Sequence, residues 1–257
     1  MTATFAANPG SVAATARSME DVAVIIPALN EEASIADVVR GIRSLATQHV
    51  IVADGGSTDQ TIVRAHSAGA DVIETGRGYG RACLQAARSA TADILVFMDG
   101  DGADNPAHIE ALVKPIRSGR YDFVIGSRVR GERAPGSMAW HQVAAGVLFG
   151  FAIRSLYGVR YTDMCALRAI RRDVLLALGM SEMTFGWNIE MQMLAAHARL
   201  RILEIPVSYH CRTGGASKVA GSISGTVRAA SSILSAFIRV ASRCRSIKTT
   251  SMDIRPT

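Results

Sequence analysis

The sequence predicts an α/β fold built on a mostly parallel central sheet flanked by helices, and three observations lead there. Over the first 130 residues, short apolar runs alternate with longer segments of helical period, the pattern of strands joined by crossover helices. Asp54, Asp99 and Arg128 each stand at the end of one of those runs, where open parallel sheets collect their ligands. The chain has 257 residues and is 49% hydrophobic, ample for a core.

Taken in order, residues 1–20 are rich in Ala, Ser and Thr but lack a basic start and a continuous apolar core, so they read as a flexible tail and not a signal peptide. Strands are expected at 22–28, 49–54, 71–75, 94–99 and 123–127, with helices at 31–46, 59–68, 79–89 and 106–118 between them. After Arg128 the pattern changes. A loop rich in Gly and Arg (129–136) leads into a helix to about Tyr157, then a short strand at 165–170, a helix at 187–198, a strand at 201–210 and a last helix at 221–242. No repeat or linker divides the chain, so 21–245 is expected as one domain with halves 21–130 and 131–245, followed by a tail at 246–257.

Asp99, Asp101 and Asp104 place three carboxylates within six residues, separated by Gly100 and Gly102. Like charges so close repel unless a cation joins them, and short acidic side chains with glycine between them suit a hard divalent ion carrying phosphate oxygens. Asp104 could equally cap the helix that starts at Pro106. The net charge of +6 points to an anionic partner, a nucleotide phosphate, nucleic acid or acidic lipid. Aromatics form only 5% of the chain and do not interleave with basic residues, which sets nucleic acid aside. Cys83, Cys165, Cys211 and Cys244 show no paired spacing, arguing against a zinc site or disulfide framework and for a reducing cytosol. The apolar stretch 143–153 is broken at Arg154, too short to span a bilayer.

Four segments occur in order: Val-Ile-Ile-Pro-Ala-Leu-Asn-Glu-Glu at 24–32, Ile-Val-Ala-Asp-Gly-Gly-Ser-Thr-Asp-Gln-Thr at 51–61, Asp-Gly-Asp at 99–101 and Gly-Ser-Arg at 126–128. Together they resemble a family 2 inverting glycosyltransferase of the GT-A fold. Two later segments, 162–175 and Arg-Thr-Gly-Gly-Ala-Ser-Lys at 212–218, are similar to its dolichyl- or polyprenyl-phosphate sugar synthase branch. The resemblance implies a nucleotide-diphosphate sugar donor with GDP or UDP, a polyprenyl phosphate acceptor met at the inner, cytosolic membrane face, and Mg2+ or Mn2+ as cofactor. Pro27, Asn30, Glu31 and Asp54 would then lie by base and ribose, with Arg77, Asp99 and Gly100 completing the donor site. Asp99, Asp101 and Asp104 would hold the metal, although Ala103 stands where the branch usually has Gln.

By the same resemblance, Arg128, Arg133, Arg212 and Lys218 form the phosphate-holding cations, and Asp163 and Arg168 flank an acceptor motif in which Cys165-Ala166-Leu167 replaces Ser-Gly-Phe. Asp101, Arg128 and Glu190 are the expected catalytic residues. Glu190 would act as base if the acceptor were a hydroxyl, whereas an acceptor phosphate is already anionic and attacks unaided. A basic last helix, with Phe237 and Ile238 beside Arg239 and Arg243, is expected on the membrane surface or packed on the sheet. A hydroxyl-directed transferase, a non-catalytic nucleotide-sugar binder and a nucleotidyltransferase are the rival readings, and homo-oligomerisation stays open.

Overall fold

A computed structural model of the chain describes residues 19–45, 49–213 and 223–246. Lys218 and nearly all of both expected tails lie outside these residues. The apolar runs form strands β1 (Val22–Ala28), β2 (His49–Asp54), β3 (Asp71–Glu74), β4 (Ile94–Phe97), β5 (Phe123–Ser127), β6 (Arg168–Arg171) and β7 (Ile202–Pro206). They make one sheet in the order β3-β2-β1-β4-β6-β5-β7, so the two expected halves share it. Central β1 pairs in parallel with both β2 and β4, with Ile25 opposite Ile51 and Phe97. Its residues 22–26 are buried on both faces, which is why this strand reads as a continuous apolar run and not as an alternation.

Only β6 runs against the rest, paired antiparallel with β4 and β5. The connection from β5 delivers the chain back to the edge it left, so the next strand can enter only in the reverse sense. As a consequence, the residues preceding β6 lie beside the carboxyl ends of all the parallel strands. That edge therefore gathers Asp54, Asp99, Arg128, Asp163 and the segment after β7.

The helices are α1 (Ile35–Arg43), α2 (Thr61–Ser67), α3 (Tyr79–Ser89), α4 (Ile109–Arg117), α5 (Trp140–Tyr157), α6 (Arg172–Ala177), α7 (Trp187–His197) and α8 (Ile223–Ser246). Ile35, Val38, Val39 and Ile42 give α1 a stripe one face wide that is buried against the sheet. Burial of each such side chain contributes about 1.5–3 kcal/mol. The expected helix from residue 31 starts four residues late because 31–34 form a turn, in which the Ser34 hydroxyl donates to the Gly100 carbonyl at 2.8 Å. A 3-10 turn at Pro106–His108 precedes α4, and its cap is Asn105, whose side-chain oxygen accepts from the Ala107 N–H at 3.0 Å. The short helix α6 had no distinct signal in the sequence.

α8 packs on α7 with Ala236, Val240 and Cys244 buried, and the Phe237 ring lies 5.6 Å from that of Phe149 on α5. Of the two expected placements, on the membrane surface or packed on the sheet, the structure shows this helix packed on the protein, against α7; among its described side chains, Leu234 and Ile238 are the exposed large apolar ones. A broader apolar stripe lies on α5, where Trp140, Val147, Leu148 and Phe151 are each more than half exposed. Among the described residues, no helix is long and apolar enough to cross a membrane.

Candidate active site

The acidic turn follows β4 at the ligand-binding edge. Asp101 is almost fully buried; one carboxylate oxygen accepts from the Ala103 N–H at 2.9 Å and the other pairs with the Arg212 guanidinium. Asp99 accepts from the Tyr79 hydroxyl at 3.2 Å. Burial, and then the charge of Asp101, push the Asp99 carboxyl up to about 6. Burial, and then Asp99, push Asp104 up to about 8. Burial is the largest cause for both groups, and the positive charge of Arg128 offsets only part of it.

The three-aspartate ligand set requires correction. Asp104 is turned inward, with its carboxylate accepting from the Asp99 N–H at 3.3 Å, and it is 4% exposed. Among the described residues, no three carboxylate, His or Cys side chains are grouped as cation ligands. Asp99 and Asp101 remain as a two-carboxylate set. Such hard oxygen donors fit Mg2+ or Mn2+, which readily complete their coordination with water and substrate phosphate.

The segment after β7 lies across this turn. The His210 N–H donates to the Ala103 carbonyl at 2.9 Å and the Thr213 N–H to the Asp101 carbonyl at 3.0 Å. The approach is so close that a side chain at Gly102, where φ is +78°, would meet the Thr213 hydroxyl. Arg212 thereby lays its charge where a metal ion would be needed, and attraction to Asp101 outweighs burial in holding its guanidinium above its usual value.

Arg128 directly follows β5 and is gripped by Asp163: its Nε and Nη2 each donate at 2.8 Å, and its backbone N–H donates at 2.9 Å. Burial opposes both charges, but the paired hydrogen bonds prevail, raising the arginine and lowering the aspartate. The guanidinium also stacks on Tyr209, 4.9 Å from the ring centroid. Arg128 is therefore a fixed positive wall, and Asp163 is its anchor. Arg133 is exposed, with its backbone bridged to Tyr209.

At the donor end, the Asp54 carboxylate is wholly buried and accepts from the Gly56 and Ser57 N–H groups and the Ser57 hydroxyl. It shapes the turn after β2, which corrects its expected contact with a base. Asn30, at φ 51°, donates its N–H to the Ser57 hydroxyl, and its side chain accepts from the Thr58 N–H, tying the β1 loop to that turn. Glu31 lies beside Gly100 and within the electrostatic reach of Arg212. Pro27 is half-buried at the end of β1, and Arg77 is exposed just before α3.

Two expected site residues are elsewhere. Arg168 is fully buried in β6 and donates to the carbonyls of Cys165, Ala166 and Asn188, so it cannot reach an acceptor phosphate. Glu190 is 1% exposed, and its carboxylate accepts from the Ser181 and Glu182 N–H groups and the Ser181 hydroxyl, on the side of α7 that meets α8. It serves as a local anchor for residues 181–182, and the structure does not bring it to the crevice that holds Asp99, Asp101 and Arg128. Tyr79, Ser34 and Tyr209 are the site residues that the sequence did not announce. Tyr79 alone had a signal, its place inside the Gly-rich run before α3.

Comparison with known proteins gives the family and the fold. The family described as Glycosyl transferase family 2 matches residues 23–179. An uncharacterised glycosyltransferase of Mycobacterium tuberculosis is 35% identical over 209 residues, covering 80% of this chain and 93% of that protein. The undecaprenyl-phosphate mannosyltransferase of Micrococcus luteus is 30% identical over 223 residues, covering 79% and 89%. Among solved structures, glucosyl-3-phosphoglycerate synthase of Mycobacterium tuberculosis, in complex with Mn2+, UDP-glucose and phosphoglyceric acid, superposes with a TM-score of 0.69 at 22% identity, over 91% of this chain and 83% of that one. An acidic turn at the carboxyl edge of this sheet, beside a clamped arginine, is thus found in a chain that belongs to glycosyltransferase family 2 and has the GT-A fold.

Proposed function

We propose that this enzyme transfers a hexose, with inversion, from GDP- or UDP-sugar to a polyprenyl phosphate at the cytosolic face of a membrane. The observation that carries the lipid acceptor is the exposed stripe Trp140, Val147, Leu148 and Phe151 on α5. An apolar patch of that kind on a protein surface needs a partner. α5 starts a few residues after the loop that carries Arg130 and Arg133 and contains no acidic residue, so the apolar stripe and the cations suit an anionic lipid surface together. The undecaprenyl-phosphate mannosyltransferase and the polyprenol monophosphomannose synthase of Mycolicibacterium smegmatis, 29% identical over 229 residues, support the same acceptor class.

A divalent ion held by Asp99 and Asp101 would neutralise charge on the departing diphosphate. Arg128, fixed by Asp163, presents a preorganised positive charge that needs no reorientation during transfer. Arg133, together with Arg212 once it leaves Asp101, would steer the acceptor phosphate, with Lys218 as a further candidate. With Glu190 buried, the hydroxyl-acceptor alternative lacks its base, and an anionic phosphate needs none. The test is a donor screen with Mn2+ or Mg2+ that reads nucleoside diphosphate release, with undecaprenyl phosphate in one arm and 3-phosphoglycerate in another. Release dependent on the lipid phosphate is expected. Release only with 3-phosphoglycerate would replace the acceptor, and no release from any donor would favour the non-catalytic binder.

A further inference from the structure

Each acidic group of the turn after β4 has something that holds it still. Asp101 has the Ala103 N–H and Arg212; Asp104 has the Asp99 N–H. For the Asp99 side chain that partner is the hydroxyl of Tyr79, from a helix twenty positions earlier in the chain. The placement of Tyr79 is itself enforced. It is the first residue of α3, flanked by Gly78 and Gly80, and the Arg81 N–H donates to the Met183 carbonyl at 3.1 Å. A Cβ at Gly80 would lie 2.1 Å from the Glu182 carbonyl oxygen, and one at Gly78 2.5 Å from that of Met183. Glycine is therefore what lets the start of α3 press against residues 182–183.

That segment is pinned from its far side. Glu190 takes the Ser181 and Glu182 N–H groups, the Glu182 carboxylate pairs with Arg239 of α8, and the Thr184 and Ser232 hydroxyls are bonded at 2.6 Å. A continuous set of contacts thus runs from α7 and α8 through residues 181–184 and α3 to one carboxylate of the acidic turn.

We propose that Tyr79 is a positioning residue that fixes the Asp99 carboxylate for the donor's divalent cation, and that Gly80, by seating α3 on the Glu182 carbonyl, sets Tyr79. An aspartate after a strand end has two free torsions, and a hydrogen bond to one oxygen restricts both while leaving the other oxygen to serve as a cation ligand. Partners of this kind behind a metal-binding carboxylate typically account for 10–100-fold in metal affinity. The inference rests on the metal-dependent reading of the site but concerns residues to which that reading gives no role.

The experiment is titration of the full chain with Mn2+ alone, followed by electron paramagnetic resonance, so that neither donor nor acceptor need be known. Tyr79→Phe keeps the ring and deletes only the hydroxyl. It should lose about 10–100-fold in Mn2+ affinity while its thermal midpoint stays within a few degrees of wild type. Gly80→Ala, which touches no proposed ligand, should weaken Mn2+ binding in the same direction. Mn2+ affinity of Tyr79→Phe within twofold of wild type would overturn the proposal, provided that Asp99→Asn abolishes binding. Failure of the wild-type chain itself to bind Mn2+ would instead overturn the metal-dependent reading, and the proposal with it.

Discussion

Replacing Asp101 with Asn should separate chemistry from folding in this enzyme. Asparagine retains a side-chain oxygen for the Ala103 N–H at 2.9 Å. What disappears is the charge paired with Arg212, a pair in which Arg212 is 32% exposed but Asp101 only 4%, so the stability lost is about 1–3 kcal/mol. Against that, the repulsion that Asp101 exerts on buried Asp99 is relieved, a gain of opposite sign. The net change should stay within about 2 kcal/mol, a shift in thermal midpoint of no more than about 8 °C for a chain of this length. Turnover should fall about a hundredfold or more, because charge developing on the diphosphate loses its stabilisation. The assay pairs thermal unfolding with nucleoside diphosphate release at saturating Mn2+. Near wild-type turnover in excess metal would refute the assignment, and a large drop in midpoint would show that Asp101 is mainly structural.

Glu190→Gln should keep turnover within a few fold of wild type, with an unchanged pH profile, while Glu190→Ala lowers the thermal midpoint; turnover lost in the Gln variant together with the acidic limb of the profile would restore Glu190 as the base. Stability of the metal-free protein should fall as pH rises from about 4 to about 8. Asp99 and Asp104 keep their protons up to about 6 and about 8 in the fold but release them near 4 when unfolded, so the native state binds more protons across that window. Urea midpoints at pH 5, 7 and 9 read this slope, and Asp104→Asn should flatten its upper part; an equally steep fall in the variant would contradict the cause. Leu148→Ser with Phe151→Ser should abolish flotation on anionic liposomes, whereas Ile238→Ser should only weaken it. Equal flotation of the double variant and wild type would move the lipid contact off α5.

Much of the scaffold is legible in the residues alone, since buried parallel strands advertise themselves as apolar runs and polar residues mark their ends. β1, β2 and β5 fall on their expected residues, and Asp99, Asp101 and Arg128 reach one crevice because the parallel strands carrying them all end at one edge. The reversed strand β6 was not legible: strand direction depends on the path of the forty residues before it, and apolar patterning does not record direction. Roles of charged residues were the least legible of all. Arg168 and Glu190 carry motif-like surroundings, yet both are buried against backbone groups, and Asp54 spends its oxygens on its own turn. By itself, the sequence determined the α/β fold, the acidic turn at the end of β4 and the resemblance to family 2 glycosyltransferases. Only the tertiary structure decided which charges face the crevice, because Tyr79, Asp163 and Arg212 lie 20, 35 and 111 positions from the partners they hold, and such pairings exist only once the sheet edge has brought distant loops together.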